Sequence, residues 1–212
     1  MKYSTILFDL DGTLVNTIAL YERAVIDTMF HSGAVLTPGR FREMYHAGDS
    51  IAGLIREFGL DTTREQELRA KRDTIYMDLL RSQVHWYPGA ENLLKNLSSD
   101  RSLGLVTGSR KTYVDAIEER LPLQRHFESI ITMEDMDGFH KPHPHSLLLA
   151  ADRLGIDPTE TIYVGDQLFD IHAAKAAGMP SVVVLTEYTP KEAANEADYV
   201  LDQITDLEKL IR

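Results

Sequence analysis

Two aspartates set two residues apart, Asp9 and Asp11, follow a short apolar run, Thr5-Ile6-Leu7-Phe8. A run of this length and composition reads as a buried strand. Residues i and i+2 of an extended chain point the same way, so both carboxylates can address one site. Gly12 lets the backbone turn sharply or approach a ligand closely, and Thr13 adds a hydroxyl. Acids that end a buried strand are costly unless a cation sits beside them. The alternative is a strand-to-loop turn whose acids are solvated, and these residues alone leave both readings open.

Three further stretches carry groups of the same kind. Thr107-Gly108-Ser109 offers a hydroxyl, and two amides that can open an anion-receiving helix; the plainer reading is an N-cap at Ser109. Lys141 lies in His140-Lys141-Pro142-His143-Pro144-His145, where two prolines stiffen the loop and fix the direction of the lysine. A cation there would neutralise phosphate or hold carboxylates ionised; the plainer reading is a solvated lysine. The histidines alternate with prolines and lack the i, i+4 spacing of a helical zinc pair. Asp166 and Asp170, in Gly165-Asp166-Gln167-Leu168-Phe169-Asp170, are four apart and share a face at a helix start. Their plainer reading is an N-cap at Asp166 with Asp170 exposed.

All four stretches follow predicted strands, and that is what joins them. Beyond Thr5–Phe8, strands are predicted at 103–107, 128–132, 161–164, 181–185 and 199–201. Helices are predicted near 111–120, 145–154, 168–177 and 206–211. Such alternation implies an α/β fold whose parallel sheet is covered on both faces. Ligands of open α/β sheets sit outside the carboxyl ends of the strands. Between Thr17 and Val84 the pattern is helical throughout. Ile18, Tyr21, Val25 and Met29 recur at helical spacing; Thr37-Pro38 is a cap and a first-turn proline. Ile51, Leu54, Ile55 and Phe58 form a second apolar face, and Leu68, Ile75, Leu79 and Leu80 a third. Residues 17–84 are therefore expected to form an inserted helical domain of four-helix-bundle type, and residues 1–16 and 85–212 the sheet domain.

Composition narrows the function. The chain of 212 residues carries 22 Lys and Arg against 33 Asp and Glu, a net charge of −11. No nucleic-acid partner is expected of so acidic a chain, and an anionic substrate needs local cations. The absence of cysteine excludes thiolate chemistry and suits a reducing compartment. No apolar run approaches the ~20 residues of a membrane span, so no membrane association is expected. The first strand begins too early for an export signal, and the expected location is the cytoplasm. Hard oxygen ligands beside a lysine suit Mg²⁺ and a phosphoryl group. Neither a Walker run nor Gly-x-Gly-x-x-Gly is present.

In order and spacing the four stretches resemble the four motifs of the haloacid dehalogenase-like (HAD) phosphohydrolases. Asp9-Leu10-Asp11-Gly12-Thr13 is similar to the first, Thr107 to the second, Lys141-Pro142 to the third, and Gly165-Asp166 with Asp170 to the fourth. The resemblance implies a Rossmann-like core with a helical cap inserted after the first motif. It implies Asp9 as nucleophile forming an aspartyl-phosphate, and Asp11 as the acid that protonates the leaving group and then activates water. It implies Mg²⁺ held by Asp9, the backbone carbonyl of Asp11 and Asp166, with Asp170 in support. Thr107 and the amide of Gly108 would hold the phosphate, and Lys141 would offset its charge. The carboxylate at position 11 disfavours dehalogenase and phosphonate-hydrolase chemistry. The β-phosphoglucomutase branch carries a His where this chain has Tyr21.

The implied activity is Mg²⁺-dependent hydrolysis of a small phosphomonoester, phosphoglycolate-like or a sugar phosphate, by a monomer or homodimer. The alternatives are a sugar-phosphate mutase, a pyrophosphatase, or a non-catalytic ligand-binding regulator. The cap would choose the substrate. Arg40, Arg42, His46, Arg56 and the Gly48-Asp49-Ser50 turn are candidates for that role, although each taken singly reads better as solvated helix surface.

Overall fold

A computed structural model describes residues 3–211. Contacts divide the chain into two compact units, one comprising the chain up to Asn16 and from His85 onward, the other Thr17–Val84. The described residues of the first unit form a six-stranded sheet: β1 (Thr5–Phe8), β2 (Ser102–Val106), β3 (Ser129–Ile131), β4 (Thr161–Gly165), β5 (Ser181–Val184) and β6 (Tyr199–Leu201). The helices in chain order are α1 (Thr17–His31), α2 (Pro38–His46), α3 (Ile51–Glu57), α4 (Glu65–Gln83), α5 (Ala90–Leu97), α6 (Lys111–Glu118), α7 (His145–Leu154), α8 (Leu168–Ala176), α9 (Lys191–Glu196) and α10 (Leu207–Ile211).

The strand order is β3-β2-β1-β4-β5-β6, with every pair parallel. Phe8 is level with Leu105 of β2 and Val164 of β4. That register puts the residues that follow β1, β2 and β4 along one edge. The strand order reverses beside β1, which makes the β1–β4 boundary the crevice where such sheets bind ligands. β1 is buried along its whole length, which is why it reads as an apolar run without alternation. Leu7 and Tyr163 face α7 and α8 with Leu147, Ala150, Ala173 and Ala174. Phe8 points the opposite way and sets its ring edge-on to Phe127 at 6.2 Å.

In the helical unit Thr37 caps α2, its Oγ1 accepting from Arg40 N at 3.2 Å, with Pro38 at the first helical position. α1 packs along α4. The Tyr21 ring lies edge-on to Phe41 and Tyr76. On α4, Leu68, Leu79 and Leu80 are buried as expected, but Ile75 is only half-buried. Tyr76 and Arg72 take the buried places instead, because Arg72 hydrogen-bonds Tyr21 Oη at 2.9 Å and can enter the interior paired.

α5 and α9 lie where the sequence reading places no element. Leu93, Leu94 and Leu97 give α5 a buried stripe. α9 is six residues long and buries only Ala193, too little for a periodic signal. Among the described residues, no helix is long and apolar enough to cross a membrane.

Candidate active site

β1 ends at Phe8, but the strand ladder continues for one more hydrogen bond, from Asp9 N to Val164 O at 2.8 Å. Asp9 is thereby fixed at the sheet edge and is 4% exposed. The chain then folds over itself: Leu14 N and Val15 N both donate to Leu10 O, and Gly12 N donates to Val15 O. Gly12 has φ +81°, a conformation costly for a residue with a Cβ. The turn carries Thr13 back to the sheet, where its Oγ1 donates to Asp166 Oδ1 at 3.1 Å.

Lys141 joins the third and fourth stretches to the first. Its side chain is 3% exposed, and Nζ lies 2.6 Å from both Asp9 Oδ1 and Asp170 Oδ1. A third acceptor is Tyr163 Oη at 2.9 Å. Val106 O at 3.3 Å is a longer fourth acceptor, so the three hydrogens of the ammonium are all satisfied. The phenol keeps one hydrogen, for which Asp170 Oδ1 at 3.1 Å and Val106 O at 3.3 Å compete. Tyr163 is a functional neighbour that the sequence did not reveal. In a strand it reads as one more apolar-face residue.

Asp170 is fully buried rather than exposed, and the N-cap of α8 is Gln167 rather than Asp166. Asp170 Oδ2 accepts from Gln167 N at 3.0 Å and from Asp166 N at 3.3 Å. It is the acid of a capping box at the helix start. A Cβ on Gly165 would lie 2.5 Å from both Cβ and Cγ of Asp170. Glycine at that position is what lets the aspartate fold back beneath the strand end. Asp166 is held by Thr13 and by Gln167 Nε2, which also reaches Tyr188 O at 3.2 Å.

Asp11 stands with the second stretch. Its Oδ2 accepts from Thr107 Oγ1 and from Ser109 Oγ, each at 2.8 Å. Its Oδ1 is buried and takes no hydrogen bond from the protein. Thr107 Oγ1 in turn accepts from Ser109 N at 3.0 Å. Gly108 between them is exposed, and a Cβ there would meet nothing within 4 Å. Ser109, read from sequence as a possible cap, is spent on Asp11 instead. Thus Asp9, Lys141, Asp166 and Asp170 come together through one hydrogen-bonded set, and Asp11 with Thr107 through a second that has Gly108 on its rim; Asp11 is near enough for its charge to act on Asp9.

Three buried carboxylates and one ammonium leave the first set with excess negative charge. Burial pushes Asp9 up to about 8, against the pull of Lys141, with Asp170 and Asp11 adding to the rise. Burial likewise drives Asp166 well above the usual carboxylate range, and Asp170 and Asp9 reinforce it. Lys141 stays charged despite burial, because Asp170 and Asp9 hold it well above its ordinary value. Asp9, Asp166 and Asp170 each bring one carboxylate oxygen within 4.8 Å of the others. All-oxygen donors with surplus charge fit a hard divalent cation. Asp170 accepts the Lys141 ammonium on one oxygen and two backbone amides on the other, whereas the donors to Asp166 are neutral side chains, those of Thr13 and Gln167.

The histidines near Lys141 form no such group among the described residues. His143 and His145 instead pack against the Phe139 ring, at 4.8 and 5.4 Å. In the helical unit Arg40 is committed to Glu57 and Glu43.

A sequence model described as "Haloacid dehalogenase-like hydrolase" matches residues 6–184. A phosphoglycolate phosphatase of Salmonella typhi is 34% identical over 230 residues, covering 95% of this chain and 90% of the relative. The structure of CbbY from Rhodobacter sphaeroides in complex with phosphate is similar, with a TM-score of 0.80 and 25% identity over 97% of this chain and 96% of that one. A haloacid dehalogenase-like family hydrolase of Streptococcus pneumoniae shares the fold, with a TM-score of 0.81 and 20% identity over 100% and 99% of the two chains.

Proposed function

This chain belongs to the haloacid dehalogenase-like hydrolases, and from that premise we propose that it hydrolyses small phosphate monoesters through an aspartyl-phosphate. The observation that carries the reading is Asp9 at the end of the central strand. It is buried against Lys141 and lies two residues before a second acid, Asp11, that two hydroxyls orient.

In the proposed reaction a carboxylate oxygen of Asp9 attacks phosphorus, and the bond to the ester oxygen breaks. Asp11 gives its proton to the departing alkoxide. It then takes a proton from the water whose oxygen attacks the same phosphorus, which restores the Asp9 carboxylate and frees phosphate. Thr107 Oγ1 and the amide of Gly108 donate to the equatorial oxygens, and Lys141 supplies positive charge where the phosphoryl charge spreads. Asp9 and Asp166, with the backbone carbonyl of Asp11, are the residues that would hold Mg²⁺. When bound, the ion would neutralise phosphoryl oxygens and the surplus of buried carboxylate. The Salmonella relative points to a small phosphorylated carboxylic acid as substrate.

The test is phosphate release with Mg²⁺ across a panel of phosphorylated acids, sugars and pyrophosphate, with Asp9→Asn as control. Release by the natural chain and none by the variant is expected. No release from any ester, or equal release by the variant, sinks the proposal. Transfer between sugar positions in excess of hydrolysis points to a mutase instead.

A further inference from the structure

Asp11 needs to be aimed at two different oxygens in turn, first the leaving group and then water, while Thr107 is claimed by the phosphate. The structure gives Thr107's one hydroxyl hydrogen to Asp11 Oδ2 at 2.8 Å. A threonine hydroxyl has a single hydrogen. Once a phosphoryl oxygen takes it, Asp11 loses that donor. The other donor to the same carboxylate oxygen is Ser109 Oγ, also at 2.8 Å.

Ser109 is built to keep that role. Its amide donates to Thr107 Oγ1 at 3.0 Å, a local turn that fixes the loop, and its carbonyl accepts from Met133 N at 3.0 Å. Its hydroxyl is not spent on the following helix. The N-cap of α6 is Arg110, and the free amide of Lys111 is received by Glu134 Oε2 at 2.7 Å. A serine before a helix whose cap is supplied from elsewhere has its hydrogen available for another partner, and here that partner is Asp11.

We propose that Ser109 is a positioning residue for Asp11, holding the acid's carboxylate through both halves of the reaction after substrate has taken Thr107. The proposal rests on the phosphatase reading above. It makes the hydroxyl at 109 a determinant of turnover rather than of substrate affinity. It also makes its effect conditional on a carboxylate at 11, since Ser109 acts only through that group.

The experiment uses the full chain with Mg²⁺, an alkyl phosphate and p-nitrophenyl phosphate. The natural protein and Asp9→Asn are measured first; if the natural protein releases no phosphate, the phosphatase reading fails and this inference with it. Given activity, Ser109→Ala is expected to lower kcat on the alkyl phosphate about 10-fold or more, with KM changed less than about 2-fold. On p-nitrophenyl phosphate, whose leaving group needs no proton, Ser109→Ala should give a burst of nitrophenolate followed by slowed turnover. Ser109→Thr, which keeps a hydroxyl, should restore kcat to within about 3-fold. In an Asp11→Asn background Ser109→Ala should add nothing. A raised KM with kcat preserved would mean that Ser109 touches substrate instead, and overturns the proposal. So does an undiminished penalty in the Asp11→Asn background, or a Thr variant no better than Ala.

Discussion

Replacing Lys141 with Met keeps an unbranched side chain, one heavy atom shorter, and removes its charge. The ammonium is 3% exposed and lies 2.6 Å from each of two carboxylates. Breaking a buried pair from one side costs about 3–5 kcal/mol. An independent bound comes from protonation, since the folded variant can relieve the loss by holding one more proton. With an ordinary aspartate value of about 3.9, placing that proton costs about 5 kcal/mol at pH 7.5 and about 1.5 kcal/mol at pH 5. The two routes agree near neutral pH, and the second fixes a slope. The folded variant would hold a proton that the unfolded chain has released, so its stability falls as pH rises, by up to about 1.4 kcal/mol per unit. Urea unfolding in the presence of a chelator, followed through the single tryptophan, Trp86, reads this directly. The expected deficit against the natural protein is about 4–5 kcal/mol at pH 7.5, shrinking towards about 1.5 kcal/mol at pH 5. A deficit under about 1 kcal/mol at pH 7.5, or one that does not change with pH, would show that Lys141 does not neutralise the buried acids. Phosphate release by the variant should fall at least about 100-fold.

Gly165→Ala drives a Cβ into Asp170 at 2.5 Å; a loss of about 1–3 kcal/mol in urea unfolding is expected, together with reduced kcat, because Asp170 is displaced from Lys141. Tyr163→Phe keeps the ring in the core but trades the Tyr163 acceptor of Lys141 at 2.9 Å for the longer one at Val106 O, 3.3 Å, and removes a donor to Asp170. A drop of about 1–3 kcal/mol is expected, and an unchanged unfolding midpoint would refute the role of the phenol in this network. Mg²⁺ should raise the unfolding temperature of the natural protein, and by more at pH 8 than at pH 6, since the ion must displace the proton that burial keeps on Asp9 up to about 8. Asp166→Asn should remove most of that gain, and a gain that is flat with pH would count against Asp9 as a ligand.

The parts legible in the sequence are those whose cause is local. Thr5–Phe8 announces a strand because burial on both faces leaves three apolar residues in a row after Thr5. The spacing of Asp9 and Asp11 is a property of extended backbone, and Thr37-Pro38 caps α2 whatever surrounds it. What stayed hidden depends on partners far along the chain. Tyr163 looks like core until Lys141, 22 residues earlier, is seen at its hydroxyl. Ser109 has the residue type of an N-cap, and only Glu134 arriving at Lys111 N frees it for Asp11, 98 residues away. Asp170 looks solvated until Gly165 is understood as the space it occupies.

The same contrast explains how an acidic chain can host anion chemistry. A net charge of −11 spread over a surface would repel a phosphate ester. Here the acids that matter are not on the surface. Asp9, Asp166 and Asp170 are buried around one lysine, and burial raises Asp9 and Asp166, so a cation that takes the place of their protons is favoured there. In water these carboxylates would simply be ionised and screened. Packed beneath the end of β1, the same residue types would hold a divalent ion, under the proposed function, where a phosphoryl group meets positive potential first.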